Sequence, residues 1–195
     1  MSSIDTHALN QLFLSARTAN SFVDKPVPVE LLQQVYDIAK FGATSMNTQP
    51  ARYVFLTTTA AKERLKPSLM AGNVDKTMLA PVCVIIAKDT QFFAHMPEIW
   101  HGKGTKEMFE GAPPMAAATA TRGTTLSGAY FMIAARALGL DCGPMSGFDM
   151  AKVNAEFFPD GRFQVDFLCN LGYADHSMEF ARNPRLTFDQ VATVL

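Results

Sequence analysis

Val82-Cys83-Val84-Ile85-Ile86-Ala87 is an unbroken apolar run that directly follows Pro81. A strand that is covered on both faces shows such a run, because neither of its faces alternates with polar residues. Two further segments, residues 53–57 and 164–171, are rich in β-branched, aromatic and aliphatic side chains and also predict strands. The sequence therefore predicts a sheet in which residues 82–87 are covered on both faces.

Helical patterns surround these strands. Between Pro28 and Gly42, apolar residues recur at helical spacing: Leu31, Leu32, Val35, Ile38 and Ala39. The longest helical candidate, residues 114–139, would span nearly 40 Å at about 1.5 Å per residue. It suits either a dimer interface or the core of one subunit. Thr187 and Gln190 predict a capping box that opens a short helix. Helices around a few buried strands predict an α+β or an α/β architecture.

The composition is that of one globular domain spanning residues 1–195. Hydrophobic residues make up 48% of the chain, and no repeat, linker or low-complexity tract divides it. Seventeen basic and eighteen acidic residues give a net charge of −1, which does not favour binding to nucleic acid or to an anionic membrane. Charged residues account for only 18%, with 15 Phe and 11 Met, which indicates apolar surface at a subunit interface.

Cysteine usage and the N-terminus predict a soluble cytoplasmic protein. Cys83 and Cys169 lie in apolar strand-like runs, where a free thiol usually acts as a small hydrophobic side chain. Residues 1–5 lack the basic and apolar regions of a secretion signal. The most apolar stretch, residues 129–135, is far shorter than the roughly 18 residues that a membrane span requires.

Several common catalytic motifs do not occur in the sequence. Residues 143–147 have the pattern G-x-x-S-G, not the G-x-S-x-G of a hydrolase nucleophile. The four histidines form no H-x-x-x-H pair and no cysteine pair accompanies them, so we expect no metal site. The chain also lacks the glycine-rich motifs of Rossmann domains and P-loops.

Five short motifs contain the residues that could bind a ligand. They are Ala16-Arg17-Thr18-Ala19-Asn20, Thr44-Ser45-Met46-Asn47-Thr48-Gln49-Pro50, Asn73-Val74-Asp75-Lys76, Gly143-Pro144-Met145-Ser146-Gly147-Phe148 and Phe180-Ala181-Arg182-Asn183-Pro184. Arginine suits phosphate because its guanidinium donates paired hydrogen bonds, although Arg17 and Arg182 could equally be solvated charges. Asn73 and Lys76 would share one helix face. The two loop motifs could present polar groups to a ligand or could be simple turns.

In this order and at these separations, the five motifs resemble the FMN-binding pattern of the nitroreductase family. The resemblance covers nearly the whole chain, from Arg17 to the C-terminal tail. It implies an α+β fold with a central, mostly antiparallel sheet flanked by helices, and an intertwined homodimer whose flavin sites lie at the subunit interface. It also implies FMN as the cofactor and NAD(P)H as the co-substrate, with the flavin carrying the redox chemistry.

The resemblance assigns roles to individual positions. Arg17, Thr18 and Asn20 would hold the phosphate and ribityl oxygens, with Arg182 closing on the phosphate. Asn73 and Lys76 would reach the pyrimidine side of the ring. Pro144, Met145, Ser146 and Gly147 would pack on the ring, and the backbone near Ser146 and Gly147 would meet N5. Ala43, Thr44, Ser45 and Asn47 would come from the partner subunit. No side chain is assigned as a general acid.

Within the family, the chain most resembles the compact branch that contains malonic semialdehyde reductase of pyrimidine utilisation. Residues 137–141 and 143–149 contain that closer likeness. Many family members have Glu at the position of Ser146, Trp at Ala51 and Pro at Ala43, and these departures affect the nicotinamide contact and the substrate range. Some members have Lys where Phe180 stands, so phosphate binding here would depend on Arg17 and Arg182.

Residues 91–113 are the candidate lid over the flavin. The aromatic side chains of this segment could stack on a substrate or could pack into a satellite core. We expect Trp100 and Phe109 to line the substrate site, and His101 and Lys103 to meet the carboxylate of an acid substrate.

The expected activity is a two-step cycle. NAD(P)H would transfer a hydride to flavin N5, and a small electrophile such as the 3-oxo acid malonic semialdehyde would then accept it. One alternative is a broad reductase of nitroaromatic compounds or quinones. Two others lie outside catalysis: a flavin-binding protein without turnover, and a purely structural protein.

Overall fold

The computed structural model describes residues 2–178 and 180–195. Within them, four strands form one sheet in the order β1-β2-β4-β3, and every neighbouring pair is antiparallel. The strands are β1 (Ala51–Leu56), β2 (Val82–Asp89), β3 (Asp141–Met145) and β4 (Phe163–Gly172). The three predicted strands are confirmed, each with slightly different ends.

The strand β3 was missed because Gly143 and Pro144 are poor strand formers, and the sequence analysis treated them as a loop or turn. Proline is tolerated here because β3 is the outermost strand of the sheet and pairs with β4 alone among the four. The motif around Arg17 lies beside this edge strand.

Nine helices are present in the described residues: α1 (Thr6–Leu9), α2 (Val29–Ala39), α3 (Thr59–Leu65), α4 (Ala71–Leu79), α5 (Met96–Ile99), α6 (Thr105–Glu110), α7 (Pro113–Ala137), α8 (Met150–Phe157) and α9 (Phe188–Val191). A π-helical turn, Asn10–Leu14, continues α1. The predicted capping box of Thr187 and Gln190 is confirmed at the start of α9. None of the helices in residues 2–178 and 180–195 is long and apolar enough to cross a membrane.

Helices cover both faces of the sheet, so the architecture is α+β. On β2, Val82, Val84 and Ile86 point into a core formed with α2 and α7, while the alternate residues Cys83 and Ile85 point into a second core with α3 and α8. All five side chains are at most 1% exposed. Burial of each large aliphatic side chain contributes about 1.5–3 kcal/mol, so the unbroken apolar run of β2 stabilises both layers.

The long helix α7 is a core helix. Phe131 and Ala135 are fully buried against the sheet. Glycines allow close contact on the same face, since a Cβ at Gly128 would lie 2.5 Å from the Phe167 ring. Of the two alternatives that the sequence predicts for α7, the single chain shows the core helix. A position of α7 in a dimer interface stays a prediction.

Residues 91–113 form a separate lobe at the end of β2, and we call it the satellite lobe. Phe92, Met96 and Phe109 are buried there, and they pack against the first turns of α7. The buried carboxylate of Asp89 anchors the lobe at its start, because it accepts hydrogen bonds from Arg52 (2.7 Å) and Arg162 (3.2 Å). The satellite-core alternative is what the structure shows for these aromatic side chains.

Candidate cofactor site

The candidate site begins where the Arg17 motif meets the edge strand β3. The Ala19 N–H donates to the carbonyl of Cys142 at 3.0 Å, and Thr18 forms a parallel bridge with the same residue. A Cβ at Gly143 would lie 2.6 Å from the Ala19 carbonyl oxygen, so only glycine permits this approach. The chain therefore places Arg17, Thr18 and Asn20 along the outer edge of the sheet.

A cavity of about 420 Å³ opens beside this edge. It brings together three parts of the chain: the segment around Arg17, the end of α7 and the C-terminal tail. Its lining residues are Phe13, Ala16, Arg17, Thr18, Asn20, Arg136, Phe180, Ala181, Arg182, Asn183 and Arg185. We call this space the arginine cavity because four guanidinium groups line it. The predicted residues Arg17, Thr18, Asn20 and Arg182 are thus assembled in one place.

Backbone carbonyls fix the positions of these arginines. Arg182 Nη2 donates to the carbonyls of Leu14 (2.6 Å) and Ala16 (2.9 Å), and Arg17 Nη1 donates to that of Ser15 (3.0 Å). Across residues 2–178 and 180–195, none of the four guanidinium groups pairs with a carboxylate. Partial loss of hydration, and then repulsion from the other three arginines, lowers the pKa of Arg182. The cavity is therefore suited to an anion.

The helix α4 and the loop after β3 form the second part of the site. Asn73 Nδ2 donates to the Gly147 carbonyl at 2.8 Å, and the Met70 N–H donates to the same oxygen at 3.0 Å. Lys76 lies on α4 three residues after Asn73 and is half-buried. The N–H groups of Ser146 and Gly147 have no acceptor within the described part of the chain. These two donors are thus available to a ligand.

The Met145 side chain does not point toward this ligand space. It is 7% exposed, belongs to the core under β2, and accepts a hydrogen bond from Thr77 at 3.6 Å. The predicted packing of Met145 on a flavin ring is therefore possible only through its backbone, while Pro144 is half-buried and Ser146 is exposed. Burial of Met145 follows from strand alternation, which the sequence analysis did not apply because it treated residues 143–147 as a loop.

The loop predicted to serve the partner subunit lies apart from the arginine cavity. Its backbone is constrained, since Met46, Asn47 and Gln49 all have positive φ angles of 41–54°. Asn47 Nδ2 donates to the Ile99 carbonyl at 2.8 Å, and this contact ties the loop to the satellite lobe. Thr44 accepts a hydrogen bond from the Gln49 N–H at 3.2 Å.

Within one chain, this loop is not brought to the other site residues. None of Ala43, Thr44, Ser45 and Asn47 lines the arginine cavity, and Thr44 lines a different cavity of about 490 Å³ between α2 and β1. Within the single chain, the predicted partner-subunit loop and the residues of the arginine cavity therefore form separate groups.

The four predicted substrate residues divide into two kinds. The Trp100 ring is half-buried, with its centroid 4.2 Å from that of His101, and both His101 and Lys103 are exposed. Phe109 differs because it is 2% exposed and packs edge-on against Phe92 at 4.9 Å. Phe109 supports the satellite lobe from inside, so we retain only the other three as candidates for substrate contact.

The arginine cavity also contains Arg136 and Arg185, which the sequence did not single out as ligand contacts. For Arg136 there is no local signal, because nothing in the sequence around it shows that the end of α7 faces the tail. Arg185 had a visible signal, because it follows Arg182 by three residues in a tail that also contains the predicted phosphate contact. The expectation that phosphate binding would depend on Arg17 and Arg182 stays a prediction, and the same cavity also contains Arg136 and Arg185.

Comparison with known proteins yields consistent matches. The model of the nitroreductase family matches residues 14–173. A protein from Ralstonia nicotianae, named as a candidate NADH dehydrogenase/NAD(P)H nitroreductase, is 50% identical over 195 residues, which are 100% of both chains. The crystal structure of a candidate nitroreductase from Bacillus subtilis superimposes with a TM-score of 0.86 at 21% identity, covering 98% of this chain and 100% of that one. A candidate nitroreductase from Exiguobacterium sibiricum, solved in complex with FMN, has a TM-score of 0.80 at 17% identity, covering 100% and 99%.

Proposed function

This chain belongs to the nitroreductase family, and we propose that it is an FMN-dependent NAD(P)H oxidoreductase that reduces a small electrophile. The observation that supports this most directly is the arginine cavity, which four arginines line and where, within the described residues, none of them pairs with a carboxylate. A phosphate at one end and polar ring edges at the other are the features that distinguish FMN from most cofactors. The donor set therefore fits FMN along its whole length.

Each group of residues has a role in holding the cofactor. Arg17 and Arg182 would bind the phosphate through charge-assisted hydrogen bonds, with Thr18 and Asn20 donating to the phosphate or ribityl oxygens. Asn73 is oriented by its bond to Gly147, and with Lys76 it would contact the pyrimidine edge. The available N–H groups of Ser146 and Gly147 would donate to the N5–O4 edge. Pro144 would pack against the ring.

When bound, FMN supplies hydride transfer at N5, first from NAD(P)H and then to the acceptor. The chain contributes by orienting the reactants and by placing donors where negative charge develops. The Ser146 and Gly147 N–H groups are fixed by β3 and by the bonds to the Gly147 carbonyl, so they need little reorganisation during the reaction. Holding the donor and acceptor near contact distance supplies much of the remaining rate enhancement.

The complete site would be built by a homodimer. The loop containing Ala43, Thr44, Ser45 and Asn47 would approach the arginine cavity of the partner subunit, since it does not reach the cavity of its own chain. The strained backbone of this loop and its contact with Ile99 would preorganise it for that contact. Dilution below the dimer dissociation constant would then release FMN, and a demonstrated monomer that retains FMN tightly would overturn the shared site.

For the acceptor, we propose a 3-oxo acid such as malonic semialdehyde. His101 and Lys103 are exposed on the satellite lobe and could meet the carboxylate, while the half-buried Trp100 ring could cover the substrate. Replacement of both His101 and Lys103 by Ala should then raise the KM for the acid and leave the KM for an uncharged quinone unchanged. An unchanged KM for the acid would instead favour a broad reductase of nitroaromatic compounds and quinones.

The first experiment is a visible absorbance spectrum of the purified protein before and after anaerobic addition of NADH or NADPH. Twin flavin bands that bleach on addition would support both the cofactor and the first half-reaction. Bound flavin that stays oxidised would indicate a flavin-binding protein without turnover. A colourless protein that ignores added FMN would overturn the cofactor assignment and, with it, every residue role proposed above.

A further inference from the structure

The arginine cavity contains more positive charge than the expected contacts require. Arg17 and Arg182 alone could neutralise a phosphate monoester, whose charge near pH 7 is about −1.5 to −2. Arg136 and Arg185 raise the total of the lining groups to four guanidiniums, and all four remain charged at any physiological pH. The lining residues include neither a carboxylate nor a histidine.

Arg136 is the more firmly held of the two additional arginines. It lies in the last turn of α7, is half-buried, and its Nη1 donates to the Leu12 carbonyl at 2.9 Å. The Gln11 side chain donates to the Arg136 carbonyl at 2.7 Å, so the backbone at this position is fixed too. One of its terminal nitrogens is thus engaged, and the residue also lines the arginine cavity.

Arg185 is held more loosely. It lies in the exposed tail, and its Nη1 donates only to the carbonyls of Asn183 (2.8 Å) and Pro184 (3.3 Å), which belong to its own turn. The pKa of Arg182 is lowered first by partial loss of hydration and then by the positive charges of Arg17, Arg185 and Arg136. Like charges are therefore gathered at a distance where they repel one another, and an anion bound between them would relieve this repulsion.

We propose that Arg136 and Arg185 are cofactor-binding residues that make the cavity selective for the fully ionised phosphate of FMN. This inference rests on the proposed function. Arg136 provides a fixed charge from α7, and Arg185 adds a second charge from the tail. The expected consequence is a strong preference for FMN over riboflavin, which has the same ring and ribityl chain but no phosphate.

The proposal also predicts how FMN affinity depends on pH. A phosphate monoester has a second pKa of about 6 in water. An opposite charge within 4–6 Å lowers the pKa of an acid by about 1–3 units, so the bound phosphate should stay dianionic to about pH 5 or below. FMN affinity should then be constant above pH 6 and fall as the pH decreases below 6. Riboflavin affinity should not change, because riboflavin has no phosphate and the lining residues include neither a carboxylate nor a histidine.

The test compares Arg136→Gln with the wild-type protein by two measurements. The first is the Kd of the apoprotein for FMN and for riboflavin. We expect the FMN Kd to rise about tenfold, as for the loss of one hydrogen bond to a charged group, and the riboflavin Kd to stay within about twofold. The second is the phosphorus NMR shift of bound FMN against pH, in which the phosphate pKa should move up toward 6 in the variant.

Three further variants separate charge from structure. Arg136→Lys keeps the charge and should restore most of the FMN affinity. Arg122→Gln removes a charge from an exposed position on the same helix, about 21 Å away along its axis, and should leave FMN binding unchanged. Arg185→Gln lies in the exposed tail, where it does not affect the core, and should weaken FMN binding in the same direction even if Arg136→Gln does not fold.

The outcomes distinguish this proposal from the proposed function. Wild-type protein that binds no FMN would overturn both. Wild-type protein that binds FMN, with an unchanged FMN Kd and phosphate pKa in Arg136→Gln and Arg185→Gln, would overturn only the role of these two arginines. An equal loss of FMN and riboflavin affinity would also overturn it, because that result indicates a structural role.

Discussion

The carboxamide nitrogen of Asn73 lies 2.8 Å from the carbonyl oxygen of Gly147, and this bond joins α4 to the loop after β3. The Met70 N–H donates to the same oxygen, so two donors from one segment fix one carbonyl. The Gly147–Phe148 peptide is thereby held in one orientation, directly after the N–H groups of Ser146 and Gly147, which have no acceptor within the described residues. The position of these donors depends on the absence of a side chain at residue 147.

Replacement of Gly147 by Ala should weaken FMN binding. The added Cβ would lie 2.5 Å from Asn73 Nδ2 and 3.4 Å from Met70 Sδ, so Asn73 must move and its bond to the Gly147 carbonyl is lost. We expect the FMN Kd to rise about tenfold, corresponding to one displaced hydrogen bond at a preorganised site. Titration of the apoprotein with FMN, followed by quenching of flavin fluorescence, measures this.

Gly72→Ala is the matched control, because it places the same methyl group on α4 where nothing lies within 4 Å. It should leave FMN affinity unchanged and raise the free energy of unfolding by about 0.5–1 kcal/mol, since Ala is favoured over Gly in a helix. Equal FMN affinity in Gly147→Ala and Gly72→Ala would show that the Asn73 bond does not position the loop.

Replacement of Asp89 by Asn should destabilise the satellite lobe. The Asp89 carboxylate is fully buried and bonds to Arg52, Arg162 and the Gln91 N–H, so its removal leaves two cations without a partner. We expect a loss of about 3 kcal/mol in the free energy of unfolding by urea, or earlier proteolysis within residues 91–113. Glu156→Gln, which breaks the exposed pair with Arg64, should cost at most about 1 kcal/mol. A loss in Asp89→Asn no larger than that in Glu156→Gln would contradict the anchoring role.

The buried thiol of Cys83 should make the protein less stable in alkali. Burial raises the pKa of Cys83 from its ordinary value of 9.0 to about 12. The folded state therefore binds this proton more tightly than the unfolded state, so its contribution to stability is complete below pH 9 and is lost as the pH rises toward 12. Between pH 8 and pH 10.5 the contribution should fall by about 2 kcal/mol.

Unfolding of the wild-type protein and of Cys83→Ala at these two pH values tests this. The decrease on going to high pH should be smaller in Cys83→Ala, because the ionising thiol is missing. Cys142 and Cys169, which are also buried and free, are present in both proteins. Any loss of stability that they cause in alkali is therefore common to both. The same decrease in both proteins would assign the alkaline loss to other groups.

A shared cofactor site predicts complementation between two defective subunits. Arg17→Gln damages the arginine cavity, and Ser45→Ala with Asn47→Ala damages the loop proposed to serve the partner. Each variant alone should bind FMN weakly. After mixing, unfolding and refolding together, half of the dimers are mixed and each has one intact site, so about a quarter of all sites should recover full affinity. No recovery would place the loop and the cavity in separate functions.

Local patterns were sufficient to predict three of the four strands, together with the helices α2, α7 and α9. The run 82–87 predicted a strand covered on both faces, and that is what β2 is, because uninterrupted apolar sequence has one main explanation in a sheet. The strand β3 was missed because Gly143 and Pro144 oppose strand formation locally. Its pairing with β4, and with the segment around Ala19, overrides that preference and cannot be seen from residues 141–145 alone.

Candidate site residues could be predicted only where a local motif resembles that of a known family. Arg17, Thr18, Asn20 and Arg182 were identified by resemblance and lie in one cavity. Arg136 is different, because its place in the cavity depends on where α7 ends relative to the tail, a tertiary relationship without a local signal. Phe109 illustrates the opposite error, since an aromatic residue in a candidate lid proved to be an interior residue of the satellite lobe.

The bonds that seat Arg182 have a consequence for the order of folding. Arg182 is bonded to Leu14, which is 168 positions earlier, and to Ala16, which is 166 positions earlier. These bonds therefore close a loop that contains most of the chain. The entropy of loop closure grows with length as about (3/2)RT ln n, and contacts of such separation form after the local ones. The sheet and its helices can therefore be complete while the arginine cavity is still open. The contact proposed between Arg182 and the cofactor phosphate can therefore form only after nearly the whole chain of 195 residues has been synthesised.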